Sequence, residues 1–409
     1  MRVLWFLAAV ACAPRTLVLD ERLPALRLQA LSAQVDRAEA SSWTLQEALA
    51  SARVHSPWLV AGRHWATAAE EGVAAARTVD NPQLRFGLND LGSTVVGPTV
   101  ELDLRIPLTN PAIVSARVRA ARAEAAAATS DADALQALVE AEVTDLYLAV
   151  AAQPAQRALW DRLIAGRRAL AERAERGRAL GLATAVDAVR AQRAVTEAVA
   201  DAEGWAAEVA LEREALCAHL GVPAGSDLDL APVDLAPVSD LEIEAALARR
   251  PDVRAALARV EAARSARAEA SATAWPWVDF VQIGLNAPDG EPVEPQVQVA
   301  VRVPIWSLGR GEVRAAKAEE AARLAELDAV VLQTAQLVAV AQAAVEASGR
   351  VVTEADEAVR RVRQALQSTQ APELVVELQV EEVRAEMALQ QATLAAARAR
   401  AALAAALGW

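Results

Sequence analysis

Apolar and polar positions along this chain follow two different periods, and the switch between them occurs twice. Over residues Pro98–Pro111, Val100, Leu102, Leu104 and Ile106 alternate with Glu101, Asp103 and Arg105. A period of two predicts a strand with one apolar and one charged face. A long Ala-rich segment with helical spacing begins directly after it. The block then returns. In Pro295–Pro304, Val297, Val299, Val301 and Val303 share one face, and Gln296, Gln298 and Arg302 the other. Pro304 follows Pro107 by 197 positions, and the Gly-Leu-Asn of Gly87–Asn89 recurs at Gly284–Asn286 with the same offset of 197. Two strand pairs at one fixed offset are an internal duplication.

The remaining elements fall into the same order twice. Thr44 with Glu47 three residues later predicts a capped helix start, and His55-Ser56-Pro57 its end. A helix is expected over Trp58–Val79, a strand over Gln83–Asn89, a loop to Gly97 and a returning strand over Thr99–Leu108. Helix then runs from Ala112 to Ala179, with a kink expected at Pro154. Gly177–Thr184 is a reversal, and helix resumes to Gly221. Val195, Val199, Ala202, Ala206, Val209, Leu216 and Leu220 form an apolar seam. The second repeat answers with a helix after Asp240, Arg250-Pro251, a helix to Ala274, strands at Trp277–Asn286 and Gln296–Ile305, and helix from Gly311 to Thr369. It reverses at Ala371-Pro372 and returns to Leu407, its seam continuing through Val383, Met387, Leu394, Ala397 and Ala401. The expected organisation is residues 1–11, 12–43, a first repeat at 44–221 (strand pair 83–108, helical hairpin 112–220), a linker at 222–239, and a second repeat at 240–409 (strand pair 277–305, helical hairpin 311–407). At 1.5 Å per residue the two hairpins reach roughly 110 and 100 Å.

Composition changes the picture in two ways. The hydrophobic share of 54% comes mainly from Ala, Val and Leu, with only 3% aromatic, which suits long close-packed helices better than a thick core. The net charge of −13 argues against nucleic acid as a partner. No stretch is read as reaching the roughly 18 apolar residues of a spanning helix, so a bilayer would have to be crossed by strands. Four strands are too few, because membrane barrels start at about eight. The chain must cover its sheet edges or share a barrel with other copies. In a shared barrel, Val100, Leu102, Leu104, Ile106, Val297, Val299, Val301 and Val303 would face lipid. Glu101, Asp103, Arg105, Gln296, Gln298 and Arg302 would face a water-filled lumen. Trp275, Trp277 and Trp306 stand at strand ends, where bilayer interfaces and loop packing both favour Trp.

The N-terminus, Met-Arg-Val-Leu-Trp-Phe-Leu-Ala-Ala-Val-Ala-Cys, reads as a short signal peptide (residues 1–11) ahead of a lipidated Cys12 opening segment 12–43. Cys12 and Cys217 imply no disulfide framework. Nothing catalytic emerges. His55, His64 and His219 read as packing or surface residues, Cys217 as a small apolar filler, and the Arg/Glu run 167–178 as a solvated helix face. Neither enzyme activity nor a cofactor or metal is expected.

The duplicated order, the Thr44-Leu45-x-Glu47-Ala48-Leu49…Pro57 opening, the Ile106-Pro107 and Val303-Pro304 strand ends and the Gly181-Leu182-Ala183-Thr184-x-x-Asp187 reversal resemble the TolC-like outer-membrane efflux family over about Thr44 to Gly408. The resemblance implies a mostly α, α+β fold in which long antiparallel coiled-coil hairpins carry a four-stranded share of a trimeric transmembrane β-barrel. It further implies a homotrimeric duct in the outer membrane, with helices forming a periplasmic tunnel, for efflux or type I secretion. Cargo would arrive from an inner-membrane pump through a periplasmic adaptor (membrane fusion) protein. The first reversal, with Arg178, Gly181 and Thr184, would be the adaptor-docking tip. The family's lipoprotein members fit Cys12. The second reversal lacks the expected Gly. From the residues alone, Glu373 and Glu377, one helical turn apart, are candidates for an entrance gate. A periplasmic coiled-coil scaffold without a pore is the alternative.

Overall fold

The computed structural model describes residues 42–89, 99–226, 228–233, 243–287, 292–304 and 309–408. Residues 1–11, Cys12 and most of segment 12–43, on which the signal-peptide and lipidation expectations fall, lie outside the described residues.

Each repeat opens with a short helix halted at a proline. Thr44 caps α1 (Leu45–His55) through a reciprocal pair of bonds. Its hydroxyl accepts from the Glu47 N–H at 3.3 Å, and the Glu47 carboxylate accepts from the Thr44 N–H at 2.8 Å. Pro57 starts α2 (Pro57–Ala76), where a missing N–H costs nothing. β1 (Gln83–Asn89) and β2 (Thr99–Pro107) follow, then α3 (Pro111–Ala151), α4 (Gln153–Ala179) and α5 (Ala185–Leu220). The second repeat gives α6 (Ile243–Arg249), α7 (Pro251–Thr273), β3 (Trp277–Ala287), β4 (Glu294–Arg302), α8 (Arg310–Ser368) and α9 (Pro372–Ala406).

Pro154 does more than kink its helix. The helix divides at Ala152, which keeps right-handed torsions (φ −76°, ψ −14°), and Pro154 sits in the first turn of α4. It has no N–H for the carbonyl four residues earlier. The hairpins are also less symmetrical than the reversals alone suggested. The returning arms α5 and α9 have 36 and 35 residues, whereas α8 has 59. Each returning arm therefore covers only about 54 Å. The rest of the long arms is covered by the short helices. α7 packs between α3 and α8, tied to α3 by Arg117–Glu269 (3.2 Å), Arg254–Asp133 (3.1 Å) and Arg259–Asp131. It is tied to α8 by Arg267–Glu320 (2.9 Å).

The burial is distributed along the helices. One cluster joins α1, α2, α3 and α5 through Ala48, Ala52, Leu59, Val143, Tyr147, Leu216 and Leu220. Tyr147 is fully buried, and its hydroxyl lies 2.6 Å from the Trp43 carbonyl and 2.8 Å from that of Ala231. This holds the linker against the start of the first repeat, where Trp43 bridges Leu230. A second cluster, Leu159, Leu163, Ala198, Val380 and Val383, joins the two hairpins. The seam along α5 departs from its predicted spacing at one point. Ala206 is exposed, and Trp205 turns inward instead, donating to Gln156 Oε1 at 2.8 Å.

One expectation is overturned. α8 contains an 18-residue window apolar and long enough, by length and composition, to cross a membrane. Its Ala, Val and Leu are interspersed with uncharged Gln and Thr, which hid the run. Most of the window is exposed, including Leu332, Leu337 and Val340.

Candidate pore-forming sheet and hairpin tips

The four strands form one antiparallel sheet in the order β1-β2-β3-β4, with the two repeats joined at β2–β3. The register aligns the alternation across the sheet. Leu84, Leu104, Ile283 and Val297 share one rung, and Phe86, Leu102 and Leu285 another. The rung between them, Arg85, Asp103, Gly284 and Gln296, puts its side chains on the opposite face. The result is a continuous apolar face. It is open: Leu84 is 72% exposed, Phe86 65% and Val297 70%. Arg85, Gln296, Gln298 and Arg302 on the opposite face are exposed too. Glu101, Asp103 and Arg105 are partly buried. A soluble half-buried strand would show the reverse.

The strand residues singled out by alternation fall on two opposite faces of the sheet, except at one end. β4 begins at Glu294 and stops at Arg302, so Val303 falls beyond the strand. Trp277↔Arg302 is the last rung. Pro276 precedes it on β3, and Pro304 follows on the other side; neither has an N–H to extend the ladder. Among the described residues, β1 and β4 each present one unpaired edge.

At the helical end, the polar face gathers charge. An irregularity between Val278 and Phe280 leaves Asp279 out of the ladder. Asp279 pairs with Arg302 at 2.6 Å and with Arg105 at 3.8 Å, and the Arg105 guanidinium stacks 3.7 Å above the Phe280 ring. Arg105, Asp279 and Arg302, with Asp80, Arg117 and Trp275, line an open cavity of about 680 Å³ where strands meet helices. Trp277 donates to the Leu108 carbonyl at 2.8 Å, so its indole is used in packing the strand end.

The two reversals differ. At the first, Gly181 takes φ +73°, a conformation a Cβ disfavours. The Gly177 carbonyl accepts from Leu182 at 2.8 Å and Ala183 at 3.1 Å. Thr184 caps α5, and the Asp187 carboxylate accepts from the Thr184 N–H at 3.0 Å and from its hydroxyl at 2.6 Å. Those hydrogen bonds hold the Asp187 carboxyl below its ordinary range. Arg178 is paired with Glu175 along the same helix. Sequence reasoning missed the apolar surroundings: Leu180, Leu182, Val186 and Val189 are exposed, Leu182 at 83%. Their helical spacing resembles a seam, and only the position beyond the last packed turn reveals them as unpartnered. The second reversal turns without positive φ, through Thr369 and Ala371 in extended conformations. Pro372 and Glu373 open α9, and Glu377 is exposed one turn on.

Of the histidines, His219 is the one inside. Its ring stacks on Trp58 (centroids 4.8 Å apart), and Nε2 lies 3.4 Å from Glu142. His55 and His64 are exposed, and Cys217 is buried beside the core of the first repeat. Among the described residues, no group of His, Cys, Asp and Glu is arranged to hold a metal ion.

The chain is a helical rod ending in a short sheet with an exposed apolar face, and solved outer-membrane channels share this fold. The likeness to solved channels extends over nearly the whole chain. OprN matches with a TM-score of 0.74 at 21% identity, over 92% of this chain and 95% of that one. MtrE of Neisseria gonorrhoeae matches with 0.73 at 19% identity, over 89% and 88%. CmeC of Campylobacter jejuni matches with 0.72 at 11%, over 92% and 91%. Residues 48–222 match the model of the outer membrane efflux protein family, and no curated protein matches by sequence. The first repeat thus matches the outer membrane efflux protein family, and the fold of the whole described chain is that of these solved channels.

Proposed function

We propose that three copies of this chain form an outer-membrane duct, twelve strands closing one barrel and the helices one periplasmic tunnel. The duct serves efflux or type I secretion and takes cargo from an inner-membrane transporter through a periplasmic adaptor. The observation that carries this reading is the sheet: four strands, two unpaired edges and an exposed apolar face cannot rest in water. An antiparallel β4–β1 pairing between neighbours closes every edge. In that arrangement Val100, Leu102, Leu104, Ile106, Val297, Val299 and Val301 meet lipid, and Glu101, Asp103, Arg105, Gln296, Gln298 and Arg302 line the bore. The exposed apolar surface of α8 supports the same assembly, because a neighbouring copy would cover it.

Within the duct, Arg178, Gly181 and Thr184 mark the adaptor-docking tip, where exposed Leu180 and Leu182 add an apolar contact. Glu373 and Glu377 are proposed as the entrance gate, where three copies would place six carboxylates near the axis and favour cations. Cys12 is proposed as a lipid anchor, with the barrel as the main one. The test is assembly. The chain should leave membranes only with detergent and sediment as a homotrimer. A folded monomer in mild detergent would overturn the proposal in favour of a scaffold without a pore.

A further inference from the structure

The repeated Gly-Leu-Asn of β1 and β3 has no role in closing the sheet, yet its glycines occupy equivalent places. Gly87 stands opposite Glu101, and Gly284 opposite Asp103, both carboxylates belonging to β2. In each case the carboxylate lies across the glycine. A Cβ added to Gly87 would come to 3.2 Å from Glu101 Oε2 and 3.4 Å from its Cβ. At Gly284 it would collide with Asp103 Oδ1 outright. Neither glycine needs its special backbone freedom, since neither has positive φ. Neither carboxylate has an ion-pair partner among the described residues. Both are nevertheless less exposed than Leu102 and Leu104 on the other face. An unpaired carboxylate on a polar face would ordinarily extend into water. Here each is folded flat onto the sheet, in the space left by a missing side chain.

We infer that Gly87 and Gly284 set the bore of the proposed duct: they are recesses that keep the Glu101 and Asp103 carboxylates against the wall. This rests on the duct reading and names the residues that set how far the fixed charge of the barrel wall reaches into its lumen. A Cβ at either position turns the opposing carboxylate toward the axis, three times over in a trimer. The bore narrows there, and its fixed negative charge stands nearer the permeating ion. Gly284 carries the larger effect, because its Cβ would overlap the carboxylate, whereas Gly87 asks its neighbour to give by only a few tenths of an ångström.

The experiment is single-channel recording of purified trimers in planar bilayers. Gly87→Ala and Gly284→Ala should each lower conductance and shift the reversal potential toward cation preference at low salt, Gly284→Ala more strongly. Asp103→Ala in the Gly284→Ala background should restore the conductance to that of Asp103→Ala alone, a result that a merely structural role for the glycine would not produce. If Gly284→Ala fails to assemble, Gly87→Ala with and without Glu101→Ala carries the same test. Assembled glycine variants with wild-type conductance and reversal potential would overturn the inference, as would a loss that removal of the opposing carboxylate does not relieve. A wild-type trimer that passes no current would instead overturn the duct reading on which it rests.

Discussion

Leu102 sits in the middle of the apolar face, flanked across the ladder by Phe86 and Leu285. If that face meets lipid, Leu102→Val should be tolerated, while Leu102→Arg should cost about 2–4 kcal/mol at mid-bilayer. Arg in place of Glu101, one residue away on the other face, should assemble and change conductance. Thermal stability of the detergent-solubilised trimer checks both, and equal losses at the two positions would contradict the facing. Glu386, on α9, makes a separate case. Burial pushes its carboxyl up, but hydrogen bonds from Arg363 and Arg162, both at 2.6 Å, outweigh this and hold it below its ordinary value. A carboxyl lowered by folding contributes stability above its unfolded value of about 4.3 and loses it as pH falls through the folded value. The melting-temperature gap between wild type and Glu386→Gln should therefore be open at neutral pH and close below about pH 4. A gap independent of pH would mean that Glu386 acts by packing alone. The strand faces were legible at this scale because charge and hydrophobe alternate without exception from Val100 to Ile106. The Glu386 bridge was not, because Arg162 is more than 200 positions away in sequence.

At the scale of elements, the strands, the duplication and the Gly181 turn could be read directly, since period two against period three and four, and a glycine between helical runs, are strong local signals. The partnering of helices could not. Ala-rich helices show little contrast between faces, so nothing in the pattern revealed that α7 would pack between the two long arms, α3 and α8. The meeting of α4 and α9 shows what such packing requires. A Cβ on Gly166 would come to 2.6 Å from Val380 Cγ2, so this glycine lets the two hairpins touch. Gly166→Val should cost about 1–3 kcal/mol through overpacking, read as a lower melting temperature. An unchanged value would show that the hairpins are not held in contact there. At the second reversal, Glu373→Gln with Glu377→Gln should reduce cation preference at low salt if the pair forms the proposed gate; unchanged reversal potentials would eliminate it. Crosslinking from Arg178→Cys to an adaptor tests the docking tip independently, because Arg178 belongs to the other hairpin.

At the scale of the whole molecule, two unpaired edges and an outward apolar face make the described protomer incomplete. The periplasmic scaffold alternative leaves that surface in water; the shared barrel places it in lipid and pairs both edges. The central claim is the pore itself, and planar-bilayer recording of the detergent-purified trimer tests it most directly. The account predicts discrete conductance steps from the trimer, altered by charge changes at Glu101 and untouched by Leu102→Val. A folded, detergent-stable trimer that inserts into bilayers and carries no current would contradict it.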